Sequence, residues 1–180
     1  MALANYALPF GLRQVQLIPL DAAGAEITAN KVFLPASRTF SFSEAEDFEQ
    51  LEGDDVIIAS HGSGPTTDWD LEGGGISLEV WKILSGGTII SSGTTPAIVK
   101  TYTKLNTDSR PYFNVRGRAI SDSGGDFKMV CYRCKADGDL EVELSNGSFL
   151  LTAASGKGYG NIADAKLYDF IHSETAAAIV

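Results

Sequence analysis

The C-terminal half of the chain consists of short β-rich segments separated by turn residues. Residues 140–144, LEVEL, alternate apolar residues with glutamate, so one face of a strand would be buried and the other solvated. Asn146 and Gly147 both accept the positive φ of a tight hairpin turn. The pattern therefore predicts an antiparallel meander of four strands, at 111–121, 126–136, 140–145 and 148–154.

The N-terminal half adds shorter apolar runs, which predict further strands at 13–20, 31–35, 38–43 and 56–60. No internal repeat or long linker divides the chain, and 180 residues suffice for one domain with its own core. The predicted fold class is mostly β: an antiparallel β-sandwich or barrel with one short flanking α-helix.

That helix is predicted at about residues 77–84. Ser77 can cap its first turn, apolar residues recur on one face, and Gly86 with Gly87 ends it. A weaker helical pattern covers 43–51, where a Ser-x-x-Glu capping box precedes several acidic residues.

The acidic residues are concentrated in one segment. The formal net charge is −9, yet residues 43–75 hold ten acidic residues and no lysine or arginine, and the remainder is nearly neutral. Because nucleic-acid binding requires clustered positive charge, this composition disfavours a phosphate-binding surface.

The sequence carries no recognisable export or membrane signal. The N-terminal residues lack early basic residues and an apolar core, and the charge-free stretch 83–99 is too short and too rich in glycine to span a bilayer. We therefore expect a protein that is made in a cytoplasm and does not enter a membrane.

The only cysteines, Cys131 and Cys134, form a C-x-x-C pair inside a predicted strand. Side chains three residues apart on a regular strand point to opposite faces. A zinc site needs four ligands, and the two histidines, His61 and His172, are distant in sequence. The prediction is two small buried hydrophobes, with no metal and no cofactor.

Other motif fragments do not complete a catalytic site. The stretch 155–160, SGKGYG, lacks the spacing of a phosphate loop and is predicted to be a flexible loop. No histidine lies near a nucleophile elbow, and the acidic pairs are typical of solvated faces. The sequence therefore predicts no catalytic residues and no enzyme.

Basic residues on two strands suggest self-association. Arg116 and Arg118 are predicted on the same strand face as Tyr112 and Asn114. Arg133 and Lys135 are predicted to share a face of the next strand. Complementary charged patches on one molecule allow head-to-tail association into rings or filaments. The predicted subunit contacts pair the acidic block with these faces, through six residues: Asp54, Asp55, Arg116, Arg118, Arg133 and Lys135.

Three blocks of the sequence, 38–55, 68–88 and 110–158, resemble the major tail tube protein of long-tailed (siphovirus-type) phages of actinobacteria. The resemblance covers nearly the whole chain and lies in the order of the blocks, with no catalytic signature among them. One departure is Glu52, where that family pattern would have a basic residue before Gly53-Asp54-Asp55.

The resemblance implies a single tail tube domain over 1–180, with an N-terminal arm at about 1–12, a long acidic loop at about 43–75 and a C-terminal arm at about 161–180. Such proteins form a β-sandwich with a flanking helix and assemble into stacked hexameric rings. The implied partners are further copies of the chain, the tape measure protein, and the tail terminator and tip proteins. DNA would pass through the lumen without specific binding, and the protein would be located in the virion tail after assembly in the host cytoplasm.

Two other classes of function stay open from the residues alone. One is a β-sandwich binding module on a virion surface that recognises a carbohydrate or a host receptor. The other is a hydrolase that uses paired carboxylates.

Overall fold

The computed structural model describes residues 6–53, 56–142 and 145–179, and over those ranges the chain is mostly antiparallel β. The strands are β1 (Pro9–Pro19), β2 (Val32–Phe33), β3 (Ser37–Ala45), β4 (Phe48–Gly53), β5 (Val56–Gly62), β6 (Thr66–Gly74), β7 (Thr88–Ser92), β8 (Val99–Thr103), β9 (Phe113–Ser121), β10 (Asp126–Ala136), β11 (Leu151–Gly158) and β12 (Tyr168–Ser173). A 3-10 turn, Thr28–Asn30, follows β1, and the helix α1 spans Leu78–Ser85.

The main sheet has the strand order β2-β1-β9-β10-β11-β6-β3. Strand β10 is divided between two neighbours, because residues 126–131 pair with β12 and residues 134–136 pair with β11. The sheet folds back so that Phe40 of β3 packs against Gly117 of β9. No backbone pairing joins β3 to β12 among the described residues, so the barrel is not closed.

Side chains bridge this gap. Phe42 of β3 contacts Tyr168 and Phe170 of β12, with ring centroids 5.0 and 5.6 Å apart. The Tyr168 hydroxyl also donates a hydrogen bond to Glu44 at 2.8 Å. Aromatic packing therefore holds together the two edges that the backbone leaves unpaired.

The core lies between the folded halves of the sheet and beneath α1. Trp69 of β6 packs edge-on against Phe113 of β9, with ring centroids 5.5 Å apart. The helix adds Val80, Ile83 and Leu84 to the same cluster. These side chains form one continuous hydrophobic core.

The helix prediction is confirmed within one residue. The Ser77 hydroxyl accepts a hydrogen bond from Val80 N at 3.3 Å, and Gly86 takes a φ of +85° at the C-terminal end. Both ends therefore use the local signals that the sequence displays.

The second helix prediction, at 43–51, is wrong. Residues 43–45 continue β3 and pair with β6, and residues from Phe48 begin β4. Sheet pairing thus outweighs a local capping preference worth about 1 kcal/mol. The acidic segment 43–75 is accordingly not an irregular loop: strands β4, β5 and β6 cover most of its described residues.

Two predictions near the C-terminus also fail. Residues 140–142 form no strand, and residues 143–144 lie outside the described part of the chain. The predicted loop at 155–160 is largely strand β11, which runs to Gly158. A Cβ at Gly156 would lie 2.8 Å from Trp69, and one at Gly158 would lie 2.9 Å from the Cys131 sulfur. These glycines therefore permit close packing of a strand and do not mark a flexible loop.

Parts of both predicted arms form strands of the main sheet. Strand β1 begins at Pro9, inside the predicted N-terminal arm, and Leu8 N donates to the Ser121 hydroxyl at 2.9 Å. Strand β12 lies inside the predicted C-terminal arm and pairs with β10. None of the described helices is long and apolar enough to cross a membrane.

Candidate functional site

The hairpin formed by β4 and β5, residues 48–62, concentrates exposed apolar side chains. Within the part of the chain that the structure describes, its strands pair only with each other and contribute no residue to the main sheet or to the hydrophobic core. Its five large apolar side chains are each between 55% and 66% exposed, and they are Phe48, Leu51, Val56, Ile57 and Ile58. Such a concentration of exposed apolar side chains typically marks an interaction surface.

The apolar residues lie on both faces of this hairpin. Leu51 pairs with Ala59 and Glu52 pairs with Ile57, with a register shift between these two pairs that leaves Ile58 in a bulge. A two-stranded hairpin is marginally stable by itself in water, and both of its edges offer unpaired backbone groups. We therefore expect the β4–β5 hairpin to become more stably ordered when it binds a partner.

The acidic residues of this region are only partly neutralised within the chain. Arg38 binds Glu72 at 3.0 Å, and Lys157 lies 3.6 Å from Asp68. The acids that form no ion pair with a described residue are Glu44, Glu46, Asp47, Glu49, Glu52 and Asp70. The predicted contact residues Asp54 and Asp55 lie outside the described residues.

The second hairpin, β7–β8, differs because side chains anchor it to the helix. The Tyr102 hydroxyl donates to the Gly86 carbonyl at 2.7 Å, and Lys100 binds Glu79 of α1 at 2.7 Å. The Lys100 ammonium lowers the pKa of Glu79 below its ordinary value. The β4–β5 hairpin has no comparable anchor among the described residues beyond the bond from Ser63 N to the Asp47 carbonyl at its base.

Arg118 forms an ion pair within its own chain. Its Nε donates to Asp126 Oδ2 at 2.9 Å, and the Lys128 ammonium lies 3.6 Å from the same oxygen. Asp126 is fully buried, and the Arg118 side chain is only 12% exposed. Burial by itself would raise the pKa of Asp126, but hydrogen bonds from Ala177 N and Arg118 outweigh it and lower the pKa.

Arg116 is also engaged within the chain. Its Nη2 donates to both carboxylate oxygens of Glu26, at 2.6 and 2.8 Å. Asn114 Nδ2 donates to the same carboxylate at 2.8 Å, and the Asn114 side-chain oxygen accepts from Arg133 N at 2.9 Å. The prediction that Arg116, Arg118 and Asn114 share one face agrees with these contacts, but internal acids neutralise both arginines.

The other predicted basic pair, Arg133 and Lys135, does form an accessible cationic patch. Both side chains lie over the ring of Tyr112, with their charged groups 4.9 and 5.0 Å from its centroid. Both residues are half-buried and form no ion pair with a described residue. Unlike Arg116 and Arg118, these two residues carry charges that no described acid neutralises.

The C-terminal residues cover the face that carries the internal ion pairs. Ala177 N donates to Asp126 Oδ2 at 3.1 Å, and Ile179 N donates to Gln14 Oε1 at 3.3 Å. Ile179 is only 8% exposed. This segment therefore ties β10 to β1 across the sheet and shields Asp126 from water.

The two cysteines do not point to opposite faces as predicted. A register shift separates Cys131 from Cys134, and Arg133 between them takes a φ of +45°. The bulge turns both side chains into the core, where Cys131 Sγ lies 3.1 Å from the Thr67 hydroxyl. A hydrogen bond from Cys134 lowers the pKa of Cys131, whereas burial raises that of Cys134.

Replacing both cysteines with alanine is expected to cost about 2 kcal/mol of the free energy of unfolding, because two buried sulfur atoms are lost. The effect should be confined to stability, measurable by chemical denaturation, and any self-assembly should persist. Stoichiometric zinc in the wild-type protein, lost together with the fold in the variant, would contradict this prediction.

No protein-family model matches the chain, and no curated protein matches it significantly. Within residues 6–53, 56–142 and 145–179, no cluster of histidine, cysteine and acidic side chains could hold a metal ion. Sequence reasoning missed the β4–β5 hairpin because it treated 43–51 as helical. Its signal was present in two β-rich runs, 48–52 and 56–60, that flank the turn-forming residues Gly53-Asp54-Asp55.

Proposed function

We propose that this chain is a structural virion protein, the major tail tube protein of a long-tailed phage, and that it assembles into stacked hexameric rings around a channel for DNA. The observation that carries the proposal is the β4–β5 hairpin, whose five large apolar side chains stay more than half exposed and join no described part of the hydrophobic core. A self-assembling protein must expose such a surface in its free form and bury it in the oligomer.

The order of sequence blocks and the mostly β fold, with one flanking α-helix among its described residues, support the same proposal. The fold would be of the tail tube type, and its rings would enclose the tape measure protein before DNA passes. The tube would end against terminator and tip proteins. The acidic excess supports a channel that does not bind DNA, because like charges repel the phosphate backbone.

The proposal is tested by negative-stain electron microscopy of the purified protein over a series of concentrations. We expect rings or hollow filaments, together with a concentration-dependent mass in light scattering. A protein that stays monomeric at high concentration and binds a carbohydrate or host cell would instead identify a binding module. Turnover of a glycoside or ester by the monomer would identify a hydrolase.

A further inference from the structure

A groove of about 540 Å³ lies between α1, the connection from β1 to β2, and the start of β7. Its apolar lining includes Leu20, Ile27, Ile83 and Ile89. Its volume falls within the range of about 300–1,000 Å³ that is typical of binding pockets. None of its lining residues comes from the β4–β5 hairpin, so the hairpin does not fill the groove of its own chain.

The charges that line the groove favour an acidic occupant. Lys31 and Lys82 both line it, and neither forms an ion pair with a described residue. Among the described residues that line the groove, the one acid is Glu79, which Lys100 binds at 2.7 Å. The groove therefore offers apolar surface together with two positive charges that its own chain leaves unneutralised.

We propose that the β4–β5 hairpin of one copy of the chain docks into this groove on a neighbouring copy. The inference rests on the proposed self-assembly and names the surface that receives the hairpin. The hairpin supplies exposed apolar side chains such as Ile57 and Ile58 beside the unpaired acids Glu49 and Glu52. Apolar side chains would fill the groove, while these acids approach Lys31 and Lys82.

The hairpin and the groove are different patches of one molecule, so this contact is heterologous. A heterologous contact repeats from copy to copy and either closes into a ring or extends as a filament. A symmetric dimer would instead bring identical patches together. The proposal thus predicts which residues meet across the contact as well as the type of symmetry that results.

Crosslinking tests the contact directly. An Ile57→Cys variant is mixed with an Ala29→Cys variant, assembled, and treated with a short bismaleimide. Ala29 lines the groove and is exposed, whereas both native cysteines are buried. We expect covalent dimers between the two variants at a yield several-fold above that of a control mixture in which an Asn146→Cys variant replaces the Ala29→Cys variant.

A charge change gives an independent readout. Lys31→Glu should raise the critical concentration for assembly about tenfold. A second substitution, Glu52→Lys, should reverse this rise, because it restores opposite charges across the contact. Arg13→Glu, which alters an exposed charge outside the groove, should have little effect. Rings or filaments that form without selective crosslinking and without this charge dependence overturn the docking proposal but leave the tail tube proposal standing. A wild-type protein that forms no assembly at all overturns both.

Discussion

Replacing Arg118 with methionine is expected to lower the free energy of unfolding by about 3–5 kcal/mol. Methionine retains most of the apolar stem but leaves the buried carboxylate of Asp126 without its closest cation. Lys128 lies farther from that carboxylate, at 3.6 Å, and is not expected to replace the lost hydrogen bond. Urea denaturation followed by circular dichroism measures the change.

Arg38→Met is the matched control, because Arg38 forms an exposed ion pair with Glu72. Its side chain is 57% exposed, so its loss should cost no more than about 1 kcal/mol. An Arg118→Met, Asp126→Asn double variant should recover part of the stability, because the uncompensated buried charge is gone. Equal losses in Arg118→Met and Arg38→Met would show that the buried pair has no special role.

This cluster also predicts how stability responds to acid. The folded state lowers the pKa of Asp126 below its ordinary value. Its contribution is therefore fully present above the ordinary carboxyl pKa of about 4 and is lost as the pH falls through the folded value. The wild-type protein should lose stability more steeply than the double variant in that acidic window, and parallel acid-unfolding curves would contradict this assignment.

Replacing Ile57 and Ile58 with aspartate is expected to abolish assembly while leaving the monomer folded. Both side chains are more than half exposed in the monomer, so the substitutions should change its stability little. Burying two isoleucines at a subunit contact contributes about 3–6 kcal/mol, so the critical concentration should rise at least about 100-fold. Light scattering and electron microscopy measure assembly, and thermal unfolding measures the monomer.

Ile57→Val with Ile58→Val is the control for this prediction, because valine keeps the apolar surface and the preference for strand structure. That variant should assemble at nearly the wild-type concentration. If the aspartate variant assembles as readily as the wild type, the hairpin lies outside the subunit contact and the proposed function loses the observation that carries it.

The two arginines of β9 show what strand periodicity can predict and what it cannot. Periodicity placed Arg116 and Arg118 on one face correctly, because the alternation of a regular strand is a local property. It could not show that Glu26 and Asp126 neutralise them, since Glu26 reaches Arg116 from 90 residues away in the sequence. The charge map alone therefore did not show that both arginines belong to ion pairs within the chain.

The amino-acid sequence by itself determined the mostly β class, the helix α1 with both of its ends, and the concentration of acidic residues in one segment. These features follow from local rules: alternation, capping, turn residues and composition. Only the tertiary structure decided that both cysteines enter the core and that residues 155–158 extend a strand. It also decided that the β4–β5 hairpin is left outside the core. Each of these three outcomes depends on which distant strand lies beside the segment. The bulge at Arg133 and the close approach of Gly156 to Trp69 arise only when the neighbouring strands pair.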